Sequence, residues 1–171
     1  MKTRPKDIGT RQESSIRNVI NDWAGEVVCE RVALHGNKDM GDLRIVVDDL
    51  VLTGESKHCK AYPSEGMLDN FKKQTVIENK NAEQDGGLLF VNNTGKSINR
   101  MDVWMQKSTF LKLHGLDAVV ERYELSDEVR ERLERMLKDT EHDWLRLTLL
   151  AFMHLCWGQP AWGKGEVNES S

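Results

Sequence analysis

The sequence predicts an α/β fold in which helices cover a mixed β-sheet. Short apolar runs that suit strands alternate with longer stretches whose apolar residues recur at helical spacing. These elements follow one another in the order α-β-β-β-α-β-β-α, which is typical of a sheet with helices on its faces. With 171 residues, of which 39% are hydrophobic and 30% charged, the chain can form a sizeable core.

The N-terminal region is predicted to contain a helix and a strand. Residues 1–8 are expected to be flexible, and a helix is expected over residues 11–22. Thr10 would be its N-cap, and Glu13 would complete a capping box. Residues 27–34 form an apolar run that predicts the first strand.

A β-hairpin is predicted next, and it places ionisable residues together. Apolar runs at residues 43–47 and 50–52 flank an Asp-Asp pair, which suits a two-residue turn. In that register Asp42 faces Glu55, and Lys57 shares their face because it lies two residues further along the strand. Two carboxylates and an ammonium group therefore converge at the open end of the hairpin.

The remaining elements complete the predicted sheet and add helices at the C-terminus. A helix over residues 67–81 has Ile77 or Glu78 on its inner face. Two strands and a short helix are expected over residues 88–91, 103–106 and 108–114. Ser126 would cap a helix that ends near Lys138. A last helix, expected from Thr140 to Trp157, is apolar nearly all round and would have to be buried.

Composition excludes several classes of protein. The three cysteines form no CxxC pair, which argues against a structural zinc site or an iron–sulfur cluster. No apolar run is long enough for a membrane helix and no signal peptide is visible, so a cytoplasmic protein without membrane contact is expected. The net charge of −4 weakens a nucleic-acid interpretation without excluding it, since the acidic excess lies after residue 115.

The residues at the open end of the hairpin suit phosphodiester hydrolysis. Mg²⁺ prefers oxygen ligands, and Asp42 and Glu55 are placed to hold it, with the carbonyl of Ser56 as a third ligand. Lys57 could orient the attacking water or stabilise negative charge, and Glu13 could reach the site from its helix. The alternatives are that Asp42 only ends a turn, that Glu55 and Lys57 form an exposed ion pair worth under about 1 kcal/mol, and that Glu13 only caps its helix.

Three stretches of the chain resemble the PD-(D/E)XK nuclease superfamily. They are GTRQE at residues 9–13, ERVALHGNKDMGDL at residues 30–43 and GESK at residues 54–57. The chain is more closely similar to the Holliday junction resolvase-like proteins of actinobacteria and their phages. The similarity covers about residues 9–113, and Gly41 stands where the superfamily has proline.

This resemblance implies a fold and a set of site residues. It implies a restriction-endonuclease-like mixed sheet flanked by helices over residues 9–115, with the C-terminal helical hairpin at 116–157 as an extension and 158–171 as a loose tail. Asp42 and Glu55 would bind Mg²⁺, for which Mn²⁺ could substitute. The further catalytic group would be made up of Lys57, the helical acid Glu13 and the supporting Gln74.

The function expected from the resemblance is Mg²⁺-dependent cleavage of branched DNA in recombination or phage replication. A homodimer is implied, because cutting a four-way junction symmetrically needs two sites. Candidate phosphate contacts are Arg11, Arg17, Lys38, Lys60, Lys72, Lys73 and Lys96. Two alternatives stay open: a nuclease of the same fold that acts on other DNA in restriction or repair, and a DNA-binding assembly protein without catalysis.

Overall fold

The computed structural model describes residues 5–33, 38–115, 119–121, 124–139 and 142–163. The strands are β1 (Cys29–Arg31), β2 (Leu43–Val47), β3 (Leu50–Cys59), β4 (Gly86–Asn93), β5 (Asp102–Gln106) and β6 (Trp144–Thr148). The longer helices are α1 (Pro5–Ala24), α2 (Glu65–Ala82), α3 (Lys107–Leu113), α4 (Asp127–Lys138) and α5 (Leu149–Trp157).

All six strands form one mixed sheet, in the order of the chain. β3 and β4 are parallel and joined by α2, whereas the other neighbouring strands are antiparallel. Ile16 of α1, Phe90 of β4 and Phe152 of α5 belong to one buried cluster, and Leu68 of α2 packs with Leu89 of β4 in another. Helices therefore lie on both faces of the sheet, and the predicted α/β class is confirmed.

The first helix and the first strand differ from their predicted bounds. α1 begins at Pro5, so the predicted cap Thr10 lies inside the helix and no capping box forms there. Proline suits the first turn of a helix because the missing N–H has no partner there. The first strand covers only residues 29–31 of the predicted 27–34, and residue 34 lies outside the described residues, as do residues 1–4 of the predicted flexible start.

The central elements agree with the sequence prediction. The hairpin has its predicted register, with Val47 opposite Leu50, and β3 continues to Cys59 because it pairs with β4 beyond the end of β2. Ser64 caps α2, since its side chain accepts a hydrogen bond from the Met67 N–H.

The predicted C-terminal helical hairpin is wrong. Residues 144–148 form β6, which pairs with β5 and extends the sheet beyond residue 115. Its burial alternates, with Leu145 buried between exposed or half-buried neighbours, and this period of two is typical of a strand. Thr148 then caps α5 by accepting a hydrogen bond from the Ala151 N–H at 3.1 Å.

The other C-terminal predictions have different outcomes. The helix capped by Ser126 is found as α4. Residues 161–163 of the predicted loose tail form a 3-10 turn, and residues 164–171 lie outside the described part of the chain. None of the helices within the described residues is long and apolar enough to cross a bilayer.

Candidate functional site

The strand directions bring the ionisable residues to one end of the sheet. The parallel strands β3 and β4 run towards this end, and the antiparallel strand β2 begins there. Asp42, immediately before β2, therefore lies beside the last residues of β3, which include Glu55 and Lys57.

Two hydrogen bonds to the backbone of β3 fix the position of Asp42. Leu43 pairs with Gly54, so Asp42 and Glu55 are the next pair outward. The Asp42 N–H donates to the Gly54 carbonyl at 2.9 Å, and Asp42 Oδ2 accepts a hydrogen bond from the Ser56 N–H at 2.9 Å. The carboxylate is thereby held against the part of β3 that β2 does not cover.

Glu55 is the most enclosed of the predicted site residues, with 4% of its surface exposed. Its carboxylate forms an ion pair with Lys57 and accepts a hydrogen bond from Gln74 Nε2 on α2 at 3.4 Å. Gln74 also donates to Glu78 Oε1 at 2.6 Å. The structure therefore brings Gln74 to Glu55, and the supporting role of Gln74 stays a prediction.

Glu78 is a site residue that the sequence reasoning did not assign. It is 1% exposed, and its Oε2 has no hydrogen-bond partner among the described residues. The signal was present, because Glu78 lies four residues after Gln74 and interrupts the apolar inner face of α2. The neighbouring alternative, Ile77, is 59% exposed and points away from the sheet.

Burial raises the pKa of both predicted metal ligands to about 7. For Asp42, loss of solvent is the largest cause and the charge of Glu55 adds to it, while the Ser56 N–H opposes both. For Glu55, burial is followed by the interaction with the neighbouring Glu78 carboxyl group, and Lys57 acts in the opposite direction. Burial also raises the pKa of Glu78. The site therefore holds more buried carboxylate than its cation compensates.

Lys57 keeps its positive charge in this site. Burial alone would lower its pKa, but the hydrogen bond and charge of Glu55 outweigh that effect and, with the charges of Glu78 and Asp42, raise the pKa above its ordinary value. An ammonium group of this kind can donate hydrogen bonds and stabilise negative charge, but it cannot act as a base at neutral pH.

We expect the metal-free protein to lose stability as the pH rises from about 4 to about 7. The unfolded chain releases the protons of Asp42 and Glu55 near their ordinary pKa values of 3.8 and 4.5, whereas the folded protein holds them until about 7. The folded state binds more protons across this interval. The two carboxyl groups therefore stabilise the folded protein fully below their pKa values in the unfolded chain, and this stabilisation is lost above their pKa values in the folded protein. Thermal unfolding in EDTA across this pH range measures the effect.

The control for this pH experiment is the double variant Asp42→Asn, Glu55→Gln. It keeps the other titrating groups, so the difference in Tm between wild type and variant isolates these two carboxyl groups. The wild type should lose Tm relative to the variant as the pH rises. A constant difference between the two proteins from pH 4 to 8 would contradict the raised pKa values.

The donor set fits a divalent cation of the Mg²⁺ type. Asp42, Glu55 and Glu78 offer only oxygen atoms, and the one unpartnered buried carboxylate oxygen among them belongs to Glu78. The Ser56 N–H donates a hydrogen bond to Asp42 at the open edge of β3. The Ser56 carbonyl points to the same edge, because the N–H and C=O of one strand residue face the same side.

A set of three protein side chains around one ion is not found in the part of the chain that the structure describes. Within the described residues, no group of three or more His, Cys, Asp or Glu side chains is arranged to hold a metal ion. Such a cation would have two carboxylates and a backbone carbonyl, with water or substrate as its other ligands. Mg²⁺ is commonly bound in this way, through one or two carboxylates and several waters.

Glu13 lies near the site but is engaged elsewhere. Its Oε2 forms an ion pair with Arg31 of β1 at 2.7 Å, and its charge contributes to the raised pKa of Asp42. The predicted role as a cap is wrong, because Glu13 lies within α1. The structure places it close enough to influence Asp42 electrostatically.

A hydrogen-bonded chain on the α1 side of β3 was also missed. Gln12, 8% exposed, donates from Nε2 to Ser56 Oγ at 2.7 Å, and its Oε1 lies 2.9 Å from His58 Nδ1. Residues 56 and 58 thus face α1, while Glu55 and Lys57 face α2. The only sequence signal was the position of Gln12 next to Glu13.

Gly41 adopts a backbone conformation that proline cannot adopt. Its φ is +82°, whereas proline is fixed near −65°. A Cβ at this position would lie 2.6 Å from Thr53 Cγ2 and 3.2 Å from the Gly54 carbonyl. Only glycine fits this turn without strain, and the turn sets the position of the next residue, Asp42.

Gly41→Ala is expected to destabilise the protein by about 1–3 kcal/mol, because the added Cβ meets Thr53 and the backbone must keep a positive φ. Gly66→Ala is the matched control, since that glycine lies in α2 with no atom within 4 Å of the added Cβ. The control should lose no stability. Equal Tm values for the two variants would show that the turn tolerates a side chain.

The predicted phosphate contacts fall into two groups. Four are exposed: Arg11, Lys38, Lys60 and Lys73. The other three are partly buried and have partners within the protein, namely Arg17 with Asn18, Lys72 with Asp69 and Trp104, and Lys96 with Asp102. The exposed group is therefore the better source of new contacts with a ligand.

Comparison of the chain with protein-family models, with curated proteins and with solved structures gives no match. No family is shown. The membership predicted from residues 9–13, 30–43 and 54–57 therefore stays a prediction, and the function has to be argued from the site itself.

Proposed function

We propose that this protein is a divalent-metal-dependent endonuclease that hydrolyses DNA phosphodiester bonds, with branched DNA such as a four-way junction as its substrate. The observation that carries the proposal is the meeting of Asp42, Glu55 and Lys57 at one end of the sheet, where they interact through direct contact and charge. A restriction-endonuclease-like fold is part of the same proposal.

Each residue of the site would have a different role in phosphodiester hydrolysis. Mg²⁺, when bound, supplies Lewis-acid polarisation of the phosphate and a more acidic water. Asp42 and Glu55 present the oxygens that hold it, and the hydrogen bond from Gln74 limits rotation of the Glu55 carboxylate. Lys57, held by Glu55, can donate to the attacking water or to a phosphate oxygen as charge develops.

The distribution of charge supports a polyanionic substrate despite the net charge of −4. At the site end of the sheet, Lys57 lies in β3, Lys60 follows β3 and Lys96 follows β4. Lys57 is paired with Glu55 and Lys96 with Asp102, whereas Lys60 is exposed. The opposite end exposes four acidic residues in its turns: Asp48, Asp49, Glu83 and Asp85. With a divalent cation bound to the carboxylates of the site, DNA would be attracted to this end of the sheet.

The choice of branched DNA rests on the sequence resemblance. A resolvase cuts two strands of a junction symmetrically, so the active species would be a homodimer with two sites. A nuclease of the same fold that acts on flaps or linear duplex in restriction or repair would share the same chemistry.

The experiment that tests the function is a cleavage panel in Mg²⁺ and in Mn²⁺. A four-way junction, a flap, a single strand and a linear duplex of related sequence would be incubated with wild type and with Asp42→Asn. We expect the junction to be cut fastest and the variant to be inactive. Equal cutting of linear duplex would remove the resolvase assignment.

One outcome of the panel would support a different function. Junction binding without cleavage in either metal would favour a DNA-binding assembly protein.

A further inference from the structure

The structure contains a cleft at the same end of the sheet as the candidate site, on the α1 face and thus opposite the face that carries Glu55 and Lys57. It has a volume of about 380 Å³ and lies between α1, the end of β3 and the loop that follows β4. Its polar lining is Arg11, Gln12, Ser15, His58, Asn92 and Lys96. None of the described residues that line it is Asp or Glu.

We infer that this cleft binds a backbone phosphate of DNA close to the bond that is cut. The inference rests on the proposed function for the source of the phosphate. The lining joins cationic groups to neutral donors, which is the chemistry that phosphate oxygens require. Two isoleucines, Ile8 and Ile98, complete the walls and could contact the apolar face of a sugar.

Arg11 is the main cation of the cleft. It is exposed on α1, and its planar guanidinium can donate two parallel hydrogen bonds to a phosphate. Lys96 is held in place by Asp102 at 2.9 Å and lies 5.7 Å from the Tyr62 ring. Since Asp102 neutralises part of its charge, Lys96 contributes less attraction than Arg11.

The cleft is connected to the carboxylate site through a single residue of β3. Ser56 accepts the Gln12 amide through its Oγ at 2.7 Å and donates its N–H to Asp42 at 2.9 Å. Gln12 also holds the His58 ring at the cleft wall. With Gln12 buried, a phosphate in the cleft would lie at a fixed distance from Asp42 and set the register of the DNA.

The test is the salt dependence of DNA binding. A fluorescently labelled four-way junction would be titrated in Ca²⁺, to limit cleavage, over a series of NaCl concentrations. Arg11→Ala should lower the slope of log K against log salt by about one and weaken binding by roughly 3–10-fold at the lowest salt. Arg132→Ala is the matched control, an exposed arginine on α4 outside the cleft lining, and it should leave the slope unchanged.

Two results would overturn the inference. The first is an equal slope for Arg11→Ala and Arg132→Ala, with both variants as stable as wild type. The second is that the cleft binds a small phosphate compound and not DNA. In that case inorganic phosphate would raise the Tm of wild type but not of Arg11→Ala, while both proteins would bind DNA with the same affinity.

Cleavage is scored separately, so failure of the cleft and failure of the nuclease function can be told apart. A reduced slope in Arg11→Ala together with no cleavage by wild type in Mg²⁺ would support the phosphate cleft and reject the nuclease. Cleavage by wild type with an unchanged slope in Arg11→Ala would support the nuclease function and reject the phosphate cleft.

Discussion

Lys57→Ala is expected to slow junction cleavage by about 10²–10³-fold while DNA affinity changes little. The ammonium group lies beside Glu55, and its raised pKa keeps it charged. Its main contribution would be to charge that develops in the transition state, so the rate constant should fall more than binding does. Single-turnover cleavage and a binding titration, performed on the same junction, measure the two effects.

Lys80→Ala provides the control for this variant. Lys80 is exposed in the last turn of α2, six residues after Gln74, and its loss should leave cleavage unchanged. Lys57→Ala should retain the rise in Tm caused by Mg²⁺, because both carboxylates remain. Cleavage at the wild-type rate would show that Lys57 has no part in the reaction.

Asp42→Asn should abolish both cleavage and the stabilisation by Mg²⁺, with a loss of activity of about 10³-fold or more. The variant keeps the size of the side chain and an oxygen that can accept the Ser56 N–H. What it loses is the negative charge. In EDTA at pH 8 it should unfold at the same temperature as wild type or higher, because burial disfavours the ionised form of Asp42.

Asp49→Asn is the matched substitution at the other end of the same hairpin. Asp49 is exposed in the turn between β2 and β3, so its replacement should leave the Mg²⁺ effect intact. If Asp42→Asn still gained stability from Mg²⁺ as wild type does, the cation would be bound elsewhere.

The hairpin could be predicted because its signals are local. A two-residue Asp-Asp turn between apolar arms fixes the register, and the register places Asp42 opposite Glu55. Alternation of side chains then puts Lys57 on the face of Glu55 and turns His58 to the opposite face. Each step needs only residues close in sequence.

The parts that could not be predicted depend on distant contacts. Residues 144–157 are an apolar run that suits either a helix or a strand, and only pairing with β5 makes residues 144–148 a strand. Glu78 and Ile77 differ by one helical position, and the packing of α2 on the sheet decides which is buried. Contact between Gln12 and Ser56 spans 44 residues.

The backbone conformation of Gly41 could not be predicted from the sequence either. Its φ of +82° and the nearness of Thr53 are what require glycine at this position. Neither quantity can be inferred from the residue types alone.

A crystal soaked in Mn²⁺ and measured at the manganese absorption edge tests the central claim most directly. We predict an anomalous peak at the open edge of β3, in contact with carboxylate oxygens of both Asp42 and Glu55 and absent from Asp42→Asn. Manganese bound only at other positions at saturating concentration, without contact to either carboxylate, would contradict a metal site at Asp42 and Glu55.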